Sequence, residues 1–124
     1  MSHSSTQMPD TQNPLPECPS SPNCKRVSLI LESDSSSVFS AFEEALKEMN
    51  AETINSNEKQ NRIDAVFKIP VFGYKDDLTI VIQSNERASN VFIRSASREG
   101  YWDIWVNSNR VNRLIRNVKN NLSN

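Results

Sequence analysis

Apolar residues recur at every second position in three separate stretches of this chain. Ile63, Ala65, Phe67 and Ile69 alternate with Arg62, Asp64, Val66 and Lys68. Leu78, Ile80 and Ile82 alternate with Asp77, Thr79, Val81 and Gln83, and Val91 and Ile93 flank Phe92 ahead of Arg94. A period of two with one apolar side predicts strands whose sheet covers a core on one face. Residues 27–31 read as an earlier strand and residues 52–56, around Ile54, as a weak one. Val38, Phe42, Ala45 and Met49 recur at helical spacing, with Ala41 and Leu46 beside them, which predicts a helix over about 36–49. Ser33, Asp34, Ser35 and Ser36 are its N-cap candidates. Val111, Leu114, Ile115, Val118 and Leu122 form the stripe of a last helix over about 107–122. The order β-α-β-β-β-β-α predicts an α+β fold, an antiparallel four- to five-stranded sheet with two helices on one face.

Parity tests the pairing. A loop at residues 85–88 places Ile82 opposite Val91, Ile80 opposite Ile93 and Leu78 opposite Ser95, all on the apolar side. A loop at residues 70–75 places Phe67 opposite Leu78 and Ala65 opposite Ile80. Both hairpins choose the same face, which predicts an antiparallel meander.

Composition trims this picture at one end. Residues 1–22 hold five of the six prolines, so residues 1–24 read as a flexible Pro/Ser-rich arm and residues 25–124 as a single α+β domain. The net charge is −1, which gives no bulk attraction to a polyanion. Arg98, Arg110, Arg113, Arg116 and Lys119 make the C-terminal part locally basic against Glu99 and Asp103. A solvated helix face accounts for that, so no nucleic-acid partner is expected. No apolar run reaches the roughly 18 residues of a spanning helix, and the N-terminus has no apolar signal region. A soluble chain without an export signal is expected.

Candidate chemistry concentrates between Arg94 and Asn107, where two arginines, two serines, an aspartate, three aromatics and one of two glycines fall within fourteen residues. Arg94 and Arg98 lie about 13 Å apart along a strand, too far to share one small anion. In the expected register Arg94 faces Thr79 and lies diagonal to Asp77, its expected partner. Asp76 points to the other face. Arg98 is expected to pair with Asp103 and close a loop. These arginines fix the sheet edge and its loop, or one of them holds an anionic ligand in a pocket; a catalytic role is the third reading. Ser95 and Ser97 take the core-facing parity and are expected to satisfy backbone groups near the last helix. The only histidine is His3, which removes a Ser-His-Asp arrangement. Tyr101, Trp102 and Trp105 serve packing or stack on a ligand. Gly73 and Gly100 are expected where φ is positive or backbones approach closely. Asp76 and Asp77 do not complete a metal cage, and neither metal nor cofactor is expected. Cys18 and Cys24 form a disulfide in an oxidising compartment and stay free thiols in cytosol.

Three segments, Cys18 to Cys24 (CPSSPNC), Phe72 to Asp77 (FGYKDD) and the Arg94 to Asn107 stretch, together resemble the bacterial and plastid domain-of-unknown-function family 1499. Its members show C-P-x-S-P-N-C, F-x-D-D and R-S-x-S-R-x-G-x-x-D-x-G-x-N in that order. Trp105 stands where the family has glycine, and Lys25 and Arg26 follow the second cysteine in place of Val-Ser-Ser. The resemblance implies no substrate, cofactor or reaction. It allows an extracytoplasmic location, whereas the chain as given reads as cytoplasmic.

The expected function is a non-catalytic binding or interaction domain. It would use the polar sheet face and the Arg94 to Asn107 junction to hold a small anionic ligand or a protein partner. Arg94, Arg98, Asp77, Asp103, Tyr101 and Trp102 are its candidate residues. The alternative is an enzyme whose Arg/Asp-lined pocket acts on an anionic small substrate. A third reading is a structural accessory whose proline-rich arm docks elsewhere.

Overall fold

The structure, a computed structural model, describes residues 13–19, 23–69, 73–98 and 105–123, and the backbone of Ser5–Gln7. Strand β1 is Ser5–Gln7 and β2 is Cys24–Leu31. Helix α1, Ser35–Glu48, follows, then β3 (Thr53–Asn57), β4 (Arg62–Lys68), β5 (Lys75–Asn85), β6 (Ala88–Ser97) and helix α2 (Val106–Ser123). From Cys24 onward the expected order β-α-β-β-β-β-α holds, and β1 adds one short strand at the edge. The sheet runs β1-β2-β6-β5-β4-β3 and every pairing is antiparallel.

Local chemistry sets the element ends. Asp34 caps α1: its carboxylate accepts from the Ser37 backbone N–H at 3.0 Å, satisfying a donor that a helix start leaves open. Asn50, with φ of 61°, stops the same helix in the left-handed conformation that asparagine tolerates. The apolar stripes of both helices and the core-facing strand residues make one cluster, in which Val38, Phe42, Leu46, Ile63, Leu78, Ile80, Ile93 and Leu114 are fully buried.

The β5–β6 hairpin has the expected register: Leu78 faces Ser95, Ile80 faces Ile93 and Ile82 faces Val91. Its turn is tighter than the expected four residues, since the strands pair out to Asn85 and Ala88. The β4–β5 register differs. Phe67 faces Asp76, Ala65 faces Leu78 and Ile63 faces Ile80, two residues away from the pairing that parity suggested. A two-residue slip keeps every side chain on its face, so alternation cannot distinguish the two registers. The turn decides. Ile69 N–H donates to Tyr74 O at 2.7 Å, Gly73 N–H donates to Ile69 O at 3.0 Å, and Gly73 has a φ of +76°. That closure is tighter than the expected loop, and it brings Asp76 beside Phe67.

The stretch expected as part of a flexible arm lies across the sheet face away from the helices. Leu15 is 7% exposed and Asn13 is 8% exposed. Polar ties hold this stretch where composition alone suggested none. Asn13 Nδ2 donates to Val27 O and Ser28 Oγ, and Asn13 Oδ1 accepts from Leu15 N–H at 2.9 Å. Phe92 and Ser28 point to this outer face by strand parity, yet both are 1% exposed. The outer face is therefore covered over β2 and β6. Over β4 and β5, Asp64, Val66, Thr79 and Val81 remain half-buried.

Candidate functional site

Two groups of polar side chains meet where β6 ends and α2 begins, one on each face of the sheet. The outer group starts from Asp77. Strand pairing sets Asp77 opposite Ala96, so Arg94 and Arg98 are both its diagonal neighbours on one face. Sequence parity cannot choose between them, and the expected Arg94–Asp77 pair does not form. Arg98 takes the carboxylate in a two-pronged contact, Nε to Oδ2 at 2.9 Å and Nη2 to Oδ1 at 2.8 Å. The expected Arg98–Asp103 pair lies outside the described residues, because Asp103 does. The arm is what separates the two arginines: Arg94 Nε donates to Pro16 O at 2.9 Å. Arg26, directly opposite Arg94 on β2, donates to Leu15 O at 3.2 Å and Asn13 O at 3.0 Å. Two like charges side by side are thus each turned toward carbonyl oxygens of one strap.

A hollow of about 460 Å³ opens beside this group, lined by Pro19, Asn23, Cys24, Asp77, Arg94, Ala96 and Ser97. Cys18 and Cys24 are joined in a disulfide with Cα atoms 5.6 Å apart, which pins the arm at the rim. Arg94 enters the hollow with no carboxylate partner among the described residues.

The inner group was missed as a site. Asp76 shares the apolar parity of Leu78 and Ile80 and is fully buried. Arg110 Nη1 donates to Asp76 Oδ2 at 2.6 Å and to Asn107 Oδ1 at 2.9 Å. The Arg110 guanidinium also lies 4.7 Å from the centre of the Phe67 ring, a cation–π contact. The Ser95 hydroxyl donates to Asn107 Oδ1, a side chain and not the backbone group expected for it. Asn107 Nδ2 in turn donates to Asn23 O at 2.7 Å, which also accepts from Ser97 N–H at 3.1 Å. Among the described residues Asp76 Oδ1 has no hydrogen-bond partner. The signal for this group was present in the sequence. A carboxylate on the core parity of a strand demands a cation, and Asn107, Arg110 and Leu114 share one helix face.

Electrostatics elsewhere on the outer face are those of ordinary pairs. Burial pushes the Asp64 carboxyl upward, but hydrogen bonds from Arg62 and Thr79, with the Arg62 charge, outweigh it and hold Asp64 below the usual aspartate range. The hydrogen bond from Lys75 holds Glu52 below its usual range. Tyr101, Trp102, Asp103 and Gly100 lie outside the described residues. Among the described residues, no three His, Cys, Asp or Glu side chains gather as metal ligands, and no helix is long and apolar enough to cross a membrane.

The three segments that carry the family resemblance, distant in sequence, converge here. Asn23 comes from the first, Asp76 and Asp77 from the second, and Arg94, Ser95, Arg98 and Asn107 from the third. A search of curated proteins finds no match. The model of a family described as protein of unknown function, DUF1499, matches residues 14–118, most of the chain and all three segments, and the chain belongs to that family.

Proposed function

We propose that this protein is a non-catalytic binding domain that holds a small anionic group, carboxylate or phosphate, in the hollow beside Arg94. The observation that carries the reading is Arg94 itself. Its Nε is fixed by Pro16 O, so the side chain is oriented, while its charge meets no carboxylate among the described residues. An oriented guanidinium with donors to spare matches planar anions. The cysteine bridge and the backbone of Asn23, Ala96 and Ser97 give the hollow firm walls, and preorganised walls lower the cost of binding. Asp77 tunes the site from its rim, its charge already balanced by Arg98.

The enzyme reading has less support. A general base must reach the proton it takes from the substrate, and the two-pronged contact with Arg98 holds the Asp77 carboxylate turned toward that arginine.

Calorimetric titration with inorganic phosphate and with succinate tests the proposal. At least one anion should bind wild-type protein saturably. Arg94→Met should weaken that anion about tenfold or more, the worth of one charge-assisted hydrogen bond, without moving the thermal midpoint much. Asp77→Asn should tighten it by removing a negative charge from the rim. No saturable binding of either anion, or equal binding by Arg94→Met, rejects the assignment.

A further inference from the structure

A second recess lies on the helical side of the sheet, at the first turns of α2. This cleft of about 280 Å³ is lined by Met49, Phe67, Val106, Asn109, Arg110 and Arg113. Among the described residues it shares no lining residue with the Arg94 hollow, so the two recesses can be tested independently. The walls are of two kinds. Met49 and Phe67 supply apolar surface. Arg110 and Arg113, three residues apart on α2, present cations about 5–6 Å apart at Cβ. Among the described residues no carboxylate lines the cleft.

The two arginines play different parts. Arg110 is held from behind: Nη1 is bound by Asp76 and Asn107, and its plane lies over Phe67. Arg113 is exposed and has no hydrogen-bond or ion-pair partner among the described residues. The start of α2 adds the positive end of a helix dipole. A separate observation marks the place as more than a surface groove. Asp76, fully buried behind Arg110 and paired in the sheet with Phe67, leaves one carboxylate oxygen without a partner among the described residues. Unsatisfied buried acceptors are uncommon in native structures, and each calls for an explanation. Asp76 acts here as a positioning residue: it fixes one nitrogen of Arg110 and leaves Nε and Nη2 for a ligand.

We infer that this cleft binds a small amphipathic carboxylate, its head on Arg113 and the free nitrogens of Arg110, its apolar chain on Met49 and Phe67. The volume is below the roughly 300–1,000 Å³ of pockets for drug-sized ligands, which selects a short chain. A charge-only ligand would leave the apolar wall unused, and a neutral chain would leave the cations unused.

Octanoate is the test probe, with octanol and acetate as controls, titrated by calorimetry into the full chain. Octanoate should saturate the cleft with one site that persists in Arg94→Met, where the outer hollow has lost its arginine. Octanol and acetate should each bind at least about tenfold more weakly, and Arg113→Ala should weaken octanoate about tenfold. Arg113 is exposed, so the variant should melt like wild type. Arg94→Met should leave octanoate affinity unchanged, which separates this site from the anion hollow. Absence of saturation, equal affinity in Arg113→Ala, equal binding of octanol, or a loss in Arg94→Met equal to that in Arg113→Ala would each overturn the inference.

Discussion

Asp76 and Asp77 are neighbours in sequence and opposites in circumstance. Asp77 is half-exposed and bound by an equally exposed Arg98, an arrangement worth at most about 1 kcal/mol. Asp76 is fully buried and meets Arg110, whose side chain is 11% exposed. Breaking a buried pair strands a charge, so Arg110→Met should destabilise by about 3 kcal/mol. The double variant Asp76→Leu with Arg110→Met should cost clearly less than the two single changes added together. Urea unfolding of the three variants measures this, and additive losses would show that the two side chains do not act as a pair. Acid acts on the fold through three carboxylates that it holds ionised. Asp34, Glu52 and Asp64 all sit below their usual ranges in the folded chain. The stability they contribute is present above their unfolded pKa values, about 4, and is lost as pH falls through the lower folded values. Asp64→Asn should therefore flatten the acid side of a stability–pH curve measured by denaturant midpoints. At this scale the sequence disclosed the faces of residues better than their partners. Parity put Asp77 and Arg94 on one side and made them partners, but β6 continues to Ser97 and brings Arg98 to the other diagonal of Asp77. Only the Pro16 carbonyl, 78 residues away along the chain and invisible to local pattern, separates the arginines.

The elements show where alternation stops being informative. Helix α1 and the β5–β6 register follow from spacing, because each has a single solution that buries the apolar side, whereas the cap is one of four candidates, Asp34. The β4–β5 hairpin has two, and the turn around Gly73 selects the one that brings Asp76 to Phe67. Without that turn Arg110 would not find a carboxylate and a ring together. The strap over β2 and β6 was illegible for another reason. Its anchors are one buried leucine, one asparagine and backbone carbonyls, none of which makes a periodic pattern. The disulfide fixes the end of that strap. Closing so short a loop removes unfolded-state entropy worth about 2 kcal/mol, so reduction should lower stability by that amount. Thermal melts with and without reductant, and of Cys18→Ser with Cys24→Ser, measure the effect. Equal melts would mean that the bridge constrains nothing.

Across the whole molecule, one sheet separates two arginine-bearing recesses at the end where α2 begins. The three segments that identify the family build the outer hollow and the buried group behind the inner cleft, and the rest of the chain supplies the core that holds them in register. The outer hollow takes Arg94 from the third segment, Asn23 and Cys24 from the first and Asp77 from the second. The fold was legible because one-sided strands and striped helices admit few packings. The site was legible only as a region, since it joins residues from both ends of the chain through a strap that pattern does not reveal. Nuclear magnetic resonance titration of labelled protein with inorganic phosphate and with succinate tests the central claim most directly. The amide signals of Asn23, Cys24, Ala96 and Ser97 and the side-chain Nε–H of Arg94 should move together and saturate with at least one of the two anions, and Arg94→Met should abolish the response. Shifts from neither anion at these positions, or shifts that persist in Arg94→Met, would contradict the assignment of this hollow as a binding site.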